Sequence, residues 1–296
     1  MMLRVVACAA ALFLTASTTQ PGSTVRNSVG FVQGTINGKG PYWFLIDSGA
    51  NRSALDDDVA RDLGLLTPGK SKVEGAGGSI TVAEATVGEL DAGGLHARKL
   101  KPTVYDLSGS LSPEGQTTAA ILGVDALQKY AVLFDTKGGR VAFAENADQL
   151  ANLKGATIVP FEFDNGIPRI NAEIEGVPAK LRIDTGAAIG DGPNVFINLT
   201  DPFYRRMLAK DPTLTPYSEF TASGTGGDTK IAVVKGKQAR FGKAEVQVPR
   251  YLVQPPVGYF ARGDAVGFLG SYAFKSWPAF ILDYPKRRLI LLAPQL

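Results

Sequence analysis

Phe44-Leu45-Ile46-Asp47-Ser48-Gly49-Ala50 and its second copy, Leu181-Arg182-Ile183-Asp184-Thr185-Gly186-Ala187, are the stretches on which the reading of this chain turns. Each is a short β-favouring run that delivers an aspartate into a hydroxyl residue and a glycine, the pattern of a strand ending in a tight turn with a carboxylate at its tip. Glycine lets the backbone approach a neighbour closely, and the Ser48 or Thr185 hydroxyl can hydrogen-bond to an opposing loop. A single aspartate in such a place usually only forms a turn. Two in equivalent frames read as a site.

Working outward, the two copies share their landmarks in one order, the signature of an internal repeat. Ile36-Asn37-Gly38 matches Ile174-Glu175-Gly176 upstream of the aspartates. Downstream, Gly75-Ala76-Gly77-Gly78 matches Gly224-Thr225-Gly226-Gly227, Ile121-Leu122-Gly123 matches Phe268-Leu269-Gly270, and Leu133-Phe134-Asp135 matches Ile281-Leu282-Asp283. The offset is 184 − 47 = 137 at the aspartates and 224 − 75 = 149 at the glycine tips, so the second copy has gained twelve residues between them, within residues 190–212. That insert predicts a helix over residues 202–209, capped by Asp201 with Pro202 at its first position. In the first copy Leu55, Val59 and Leu63 recur at helical spacing, with Asp56-Asp57-Asp58 at the start and Gly64 at the end. The glycine tips lie between strand-like arms and read as flaps. A polar boundary at residues 145–156 divides the chain into residues 20–150 and 151–296.

Composition removes several function classes. The chain has 296 residues, 45% of them hydrophobic, enough for substantial cores. Its 31 basic and 28 acidic residues interleave to a net charge of +3, with no stripe suited to nucleic acid or a membrane surface. Arg4, the apolar run of residues 5–14 and the small residues 15–18 have the layout of a secretory signal peptide, assigned to residues 1–19 and too short for a membrane span. The single cysteine, Cys8, lies inside it. Export to a periplasm or the exterior follows as an expectation. His96 is the only histidine, and the carboxylates lack histidine or cysteine company, so no metal or cofactor is expected. The triplet at Asp56 reads as helix-start charge, and Lys286-Arg287-Arg288 as an exposed hairpin turn.

Two carboxylates held a few ångströms apart share one proton. The ionised one can act as general base on a water while the protonated one donates to a carbonyl oxygen. The motif Asp-Ser/Thr-Gly-Ala after an apolar strand, the glycine-rich flap and the later Ile-Leu-Gly or Phe-Leu-Gly strand resemble aspartic peptidases of the retroviral-protease type. The resemblance is closest to bacterial retropepsin-like proteins, here with two units fused into a pepsin-like bilobal chain, and extends over residues 30–292.

The resemblance implies a mostly β acid protease fold: two similar closed, barrel-like lobes about a pseudo-twofold axis, with few short helices. It implies Asp47 and Asp184 as the catalytic pair, Ser48 and Thr185 locking the loops together, and Gly49 and Gly186 bringing amides to the carboxylates. Gly75, Ala76, Gly77 and Gly78, with Gly224, Thr225, Gly226 and Gly227, would close over a bound peptide. Neither tip carries a tyrosine, as in the viral pattern. The second lobe departs from the pattern at residues 188–193 and at Tyr272, which stands where the first has Asp125. The expected function is an exported aspartic endopeptidase, a monomer pairing its lobes within one chain and acting on peptide or protein. The alternative is a peptide-binding module of the same fold with weak or no hydrolysis.

Overall fold

A computed structural model describes residues 22–75, 78–261 and 264–293, so the expected signal peptide and the tip residues Ala76 and Gly77 lie outside the described residues. The fold is mostly β, of acid protease type, in two large sheets. Among the described residues the first has ten strands. Its centre is Lys39–Ile46, the strand that delivers Asp47, flanked by Val29–Ile36 and Thr118–Leu122. Val29–Ile36 and Lys39–Ile46 form a hairpin turning on Asn37 and Gly38, both at positive φ, a pair of conformations that matches strand twist. Glu175 and Gly176 repeat this turn before the strand Val177–Asp184.

Each delivering strand is then paired in parallel with the apolar-glycine strand far downstream. Leu45 lies beside Ile121 and Ile46 beside Leu122 in the first sheet; Arg182 lies beside Phe268 and Ile183 beside Leu269 in the second. Alternation sends Phe44 and Ile46, or Leu181 and Ile183, into the interior and leaves the aspartate on the other face. The repeat read from sequence therefore has a counterpart in register.

The second sheet reaches fourteen strands among the described residues because the closing hairpin of the first half joins it. Ala131–Asp135 pairs antiparallel with Ala279–Asp283 over its whole length, and Thr157–Asp164 pairs with Arg288–Leu291. Phe134 stacks on Phe280 with centroids 4.8 Å apart, and Phe274 on Phe280 at 4.1 Å. Each buried ring of this kind contributes about 1.5–3 kcal/mol. One apolar cluster runs from Val32 to Leu291 through both halves. In both sheets the hydrogen-bonded order runs from edge strand to edge strand, and the flap arms Leu66–Gly75 and Pro216–Gly224 are two of those edges.

The helices bear the expected local chemistry with one correction. Asp57–Asp62 is capped by Asp56, whose side chain accepts from the Asp58 and Val59 amides at 3.1 and 3.3 Å. The insert helix spans Asp201–Lys210, and its cap is Thr200, not Asp201. Asp201 lies inside the first turn, where its carboxylate meets Arg205 four residues on at 2.8 Å. Thr200 instead turns its hydroxyl to the Val266 carbonyl. Thr200 and Asp56 hold the same position in their copies, each ending a strand that runs into a helix.

Candidate active site

The two Asp loops meet. Ser48 N donates to Thr185 Oγ1 at 3.0 Å and Thr185 N to Ser48 Oγ at 3.0 Å, a reciprocal pair across the halves. Each hydroxyl then donates onward, Ser48 Oγ to the Ile183 carbonyl at 2.8 Å and Thr185 Oγ1 to the Ile46 carbonyl at 2.9 Å. Both residues are fully buried. Four buried hydrogen bonds of about 1 kcal/mol each fix the loops, and losing either hydroxyl leaves polar groups unsatisfied. Only a hydroxyl residue can accept and donate in this way.

The glycines are required by close approach. A Cβ on Gly49 would stand 2.6 Å from Asp184 Oδ1, and one on Gly186 would stand 2.6 Å from Asp47 Oδ2. Each carboxyl thus lies against the backbone of the opposite loop, and any side chain there would displace it. Asp47 Oδ1 accepts from the Gly49 amide at 2.7 Å, and Asp184 Oδ1 from the Ala187 amide at 3.0 Å. The two carboxyls lie close enough for the charge of Asp47 to act on Asp184.

The pair is electrostatically unequal. Burial pushes the Asp47 carboxyl above its ordinary value, while the amides of Gly49, Gly186 and Ala50 and the hydrogen bond from Asp184 pull it back. Burial pushes Asp184 up as well, and the charge of Asp47 adds to it, so that this carboxyl lies well above its ordinary value. Asp47 has more donors aimed at it, so the charge settles there and the shared proton on Asp184. The two titrate as a unit.

The flap tips meet each other as well. Gly75 pairs with Gly78, and Gly224 with Gly227, closing the two hairpins. A Cβ on Gly78 would lie 2.8 Å from the Gly226 carbonyl oxygen, and one on Gly75 would run into Thr225. Gly258, in the short turn Gly258–Ala261, approaches Gly75 and Gly78 just as closely. Two residues that sequence reasoning passed over also belong here. Tyr105 is half-buried, and burial together with the charge of Asp47 pushes its phenol above the ordinary value. Arg182, two residues before Asp184, is buried against Asp164 at 2.7 Å. A charged residue within an otherwise apolar strand, opposite Leu45 in the other copy, was a signal for the second; nothing in the local pattern singled out the first.

The other acidic and histidine groups singled out from the sequence have partners of their own. Asp56, Asp57 and Asp106 offer oxygens within 4.8 Å of one another, but Asp56 uses both of its oxygens on backbone amides, of the helix and of Leu107. His96 is exposed and paired with Asp91. Among the described residues no helix is long and apolar enough to cross a membrane.

Residues 32–126 match the family model described as aspartyl protease, a span that holds Asp47, the first flap, Tyr105 and Asp125. No curated protein matches the chain.

Proposed function

We propose that the chain is an aspartic endopeptidase in which Asp47 and Asp184 are the catalytic pair. The observation that carries this reading is that each carboxyl lies against the other loop's glycine, with the two loops tied by the reciprocal Ser48–Thr185 bonds. Asp47, ionised, takes a proton from a water held between the carboxylates as its oxygen attacks the carbonyl carbon of an extended peptide. Asp184 gives its proton to the carbonyl oxygen. The tetrahedral diol collapses as Asp47 gives its proton to the leaving amide nitrogen and a diol hydroxyl returns one to Asp184, which restores the pair. Ser48 and Thr185 hold the loops, Gly49 and Gly186 allow the approach, and residues 75–78 and 224–227 cover the peptide. The chain acts as a monomer of two lobes, residues 20–150 and 151–296, exported after removal of residues 1–19.

Incubating the purified protein with a mixed peptide library across acidic to neutral pH tests the reading, with and without a statine-type inhibitor. Cleavage that the inhibitor blocks, and that both Asp47→Asn and Asp184→Asn abolish, is the expected result. Absence of cleavage at every pH, with the inhibitor still bound, would leave a peptide-binding module of the same fold.

A further inference from the structure

Leu45 and Asp47 alternate onto one face of their strand, as do Arg182 and Asp184, so residues level with Leu45 and Arg182 extend the face that bears the carboxyls. Register gives one row across each sheet. In the first it runs Phe31, Leu45, Ile121, Ala54, Thr103, Glu84. In the second the same places hold Arg169, Arg182, Phe268, Asn198, Leu252 and Val233. The ends of the two rows are reversed in polarity: the first begins apolar and ends charged, and the second begins charged and ends apolar.

Each Asp loop reaches the near end of the opposite row. Ala188, four residues after Asp184, packs on the group of Val29, Phe31 and Leu45. It packs equally on the group of Phe196, Val233 and Leu252, which takes in Ala222 from the arm of the second flap. The two apolar ends are thereby joined into one wall that runs from beside Asp47 to that flap. Asn51 holds the same place after Asp47. Its Nδ2 donates to the Asn165 carbonyl at 3.2 Å, Asn165 Nδ2 donates to Asp164 Oδ1 at 3.2 Å, and Arg182 Nη2 meets Asp164 Oδ2 at 2.7 Å. Next to Asn51, Arg52 Nη1 donates to Glu84 Oε1 at 3.1 Å and to Ser71 Oγ, in the arm of the first flap, at 3.0 Å. The charged ends meet in the same way, as a polar wall from beside Asp184 to the other flap.

We propose that the two walls read opposite sides of the scissile bond, so that the preferred substrate is an extended peptide whose bulky apolar run ends at the cleaved bond and is continued by hydrophilic residues. This rests on the peptidase reading for the bond that breaks, and on the walls alone for which peptide is held. Against the apolar wall a large aliphatic or aromatic side chain leaves water without stranding a polar group. Against the polar wall the same side chain would cut off Arg52 and Glu84, whose side chains are 32% and 30% exposed, from the water they now meet. A hydrophilic side chain there exchanges hydrogen bonds with them instead. The buried Arg182–Asp164 pair also fills the place where Leu45 offers an apolar surface in the first half.

Four peptides test this on the full-length protein by fluorescence anisotropy. Each carries a non-cleavable statine unit at its centre, with flanks that are apolar on both sides, hydrophilic on both, or mixed in either order. One mixed peptide should bind about tenfold to a hundredfold more tightly than its reversal and than either uniform peptide. Ile189→Asn, on the apolar wall, should lower affinity for that peptide about tenfold and leave the uniformly hydrophilic one within about twofold. Arg52→Leu with Glu84→Val removes both partners of the ion pair and should raise affinity for the uniformly apolar peptide about tenfold. Affinities within about threefold of one another, no binding by any of the four, tightest wild-type binding by the uniformly apolar peptide, or no response to either variant overturns the proposal. If the ranking holds and the wild type cleaves no cleavable version of the favoured peptide, the walls stand and the peptidase reading falls. If the wild type cleaves library peptides with apolar residues equally on both sides of the bond, the peptidase reading stands and the two-walled cleft falls.

Discussion

The two Asp loops reach one geometry with different side chains behind them. In the first, Asp125 Oδ1 accepts from both the amide and the hydroxyl of Ser53, at 2.9 and 2.6 Å, and Ser53 Oγ in turn accepts from the Gly123 amide. In the second, the position of Asp125 is held by Tyr272, whose ring meets Phe196 edge-on at 6.1 Å and carries Lys275 above its face. Backbone bonds alone are common to both: Val124 N to the Ala50 carbonyl, and Ser271 N to the Ala187 carbonyl, each at 2.8 Å. A polar clamp fixes a loop by direction, whereas aromatic packing fixes it by volume. The backbone rungs explain why divergence behind the second loop leaves its aspartate in place.

The largest effect should come from removing either carboxyl of the pair. Asp47→Asn removes the ionised partner and Asp184→Asn the proton donor, and each should lower peptide turnover by about 10²–10⁴-fold, read from kcat with a fluorogenic peptide. The two variants should differ in stability. A carboxyl held above its unfolded value contributes stability that is complete below that value, 3.8 here, and is lost as pH rises through the folded one. Wild-type melting temperature should therefore fall as pH climbs past the ordinary carboxylate range, and Asp184→Asn should flatten that fall and melt higher than wild type at neutral pH. Asp47→Asn removes the charge that raises Asp184 and should flatten it less, because burial still acts on Asp184. Equal curves for both variants would show that the pair is electrostatically symmetric.

A second contrast lies two residues before each aspartate. Leu45 packs with Val29 and Phe31 in a small apolar group, while Arg182 is 2% exposed against Asp164 at 10%. Breaking a buried pair by removing one partner leaves an uncompensated charge, so Arg182→Met should cost about 3–5 kcal/mol in a denaturant titration. Asp164→Leu together with Arg182→Met should recover most of that loss. If the single change proves mild, the ion pair does not support the second loop and the halves are more alike than their residues suggest.

Much of this was legible before any coordinates. The repeated Asp-hydroxyl-Gly run carried both the strand ends and the meeting of the loops, because the residue types are dictated by contacts at the tip: a glycine where a Cβ would strike a carboxyl, a hydroxyl where a group must both accept and donate. Local signals also placed the helix after Asp56 and the two glycine-tipped hairpins. What escaped were long-range partnerships. The pairing of residues 131–135 with 279–283 joins segments more than a hundred residues apart, and each strand alone reads only as a half-buried hairpin arm. Thr200 was missed as a cap because Asp201 is equally good at that position by composition. The twelve extra residues are divided, since the offset has already reached 198 − 54 = 144 where the strands of Ala54 and Asn198 pair with Ile121 and Phe268. Seven precede that strand, in the segment where Gly190 lies against Tyr272 and Phe196.

The smallest and most discriminating comparison sets Asp125 against Tyr272. Asp125→Ala leaves the buried Ser53 amide and hydroxyl without their acceptor, and hydrogen bonds to a charged group contribute about 1.5–3 kcal/mol. Tyr272→Phe keeps the ring against Phe196 and under Lys275 and should cost less than about 1.5 kcal/mol. Stability alone does not separate clamp from packing, so turnover provides the second axis. If direction is what matters behind the first loop, Asp125→Asn, which preserves size and one acceptor oxygen, should keep most of the stability that Asp125→Ala loses and most of kcat. If volume is what matters there too, Asp125→Leu should do as well as Asp125→Asn, and the distinction between the two loops would collapse to one of composition.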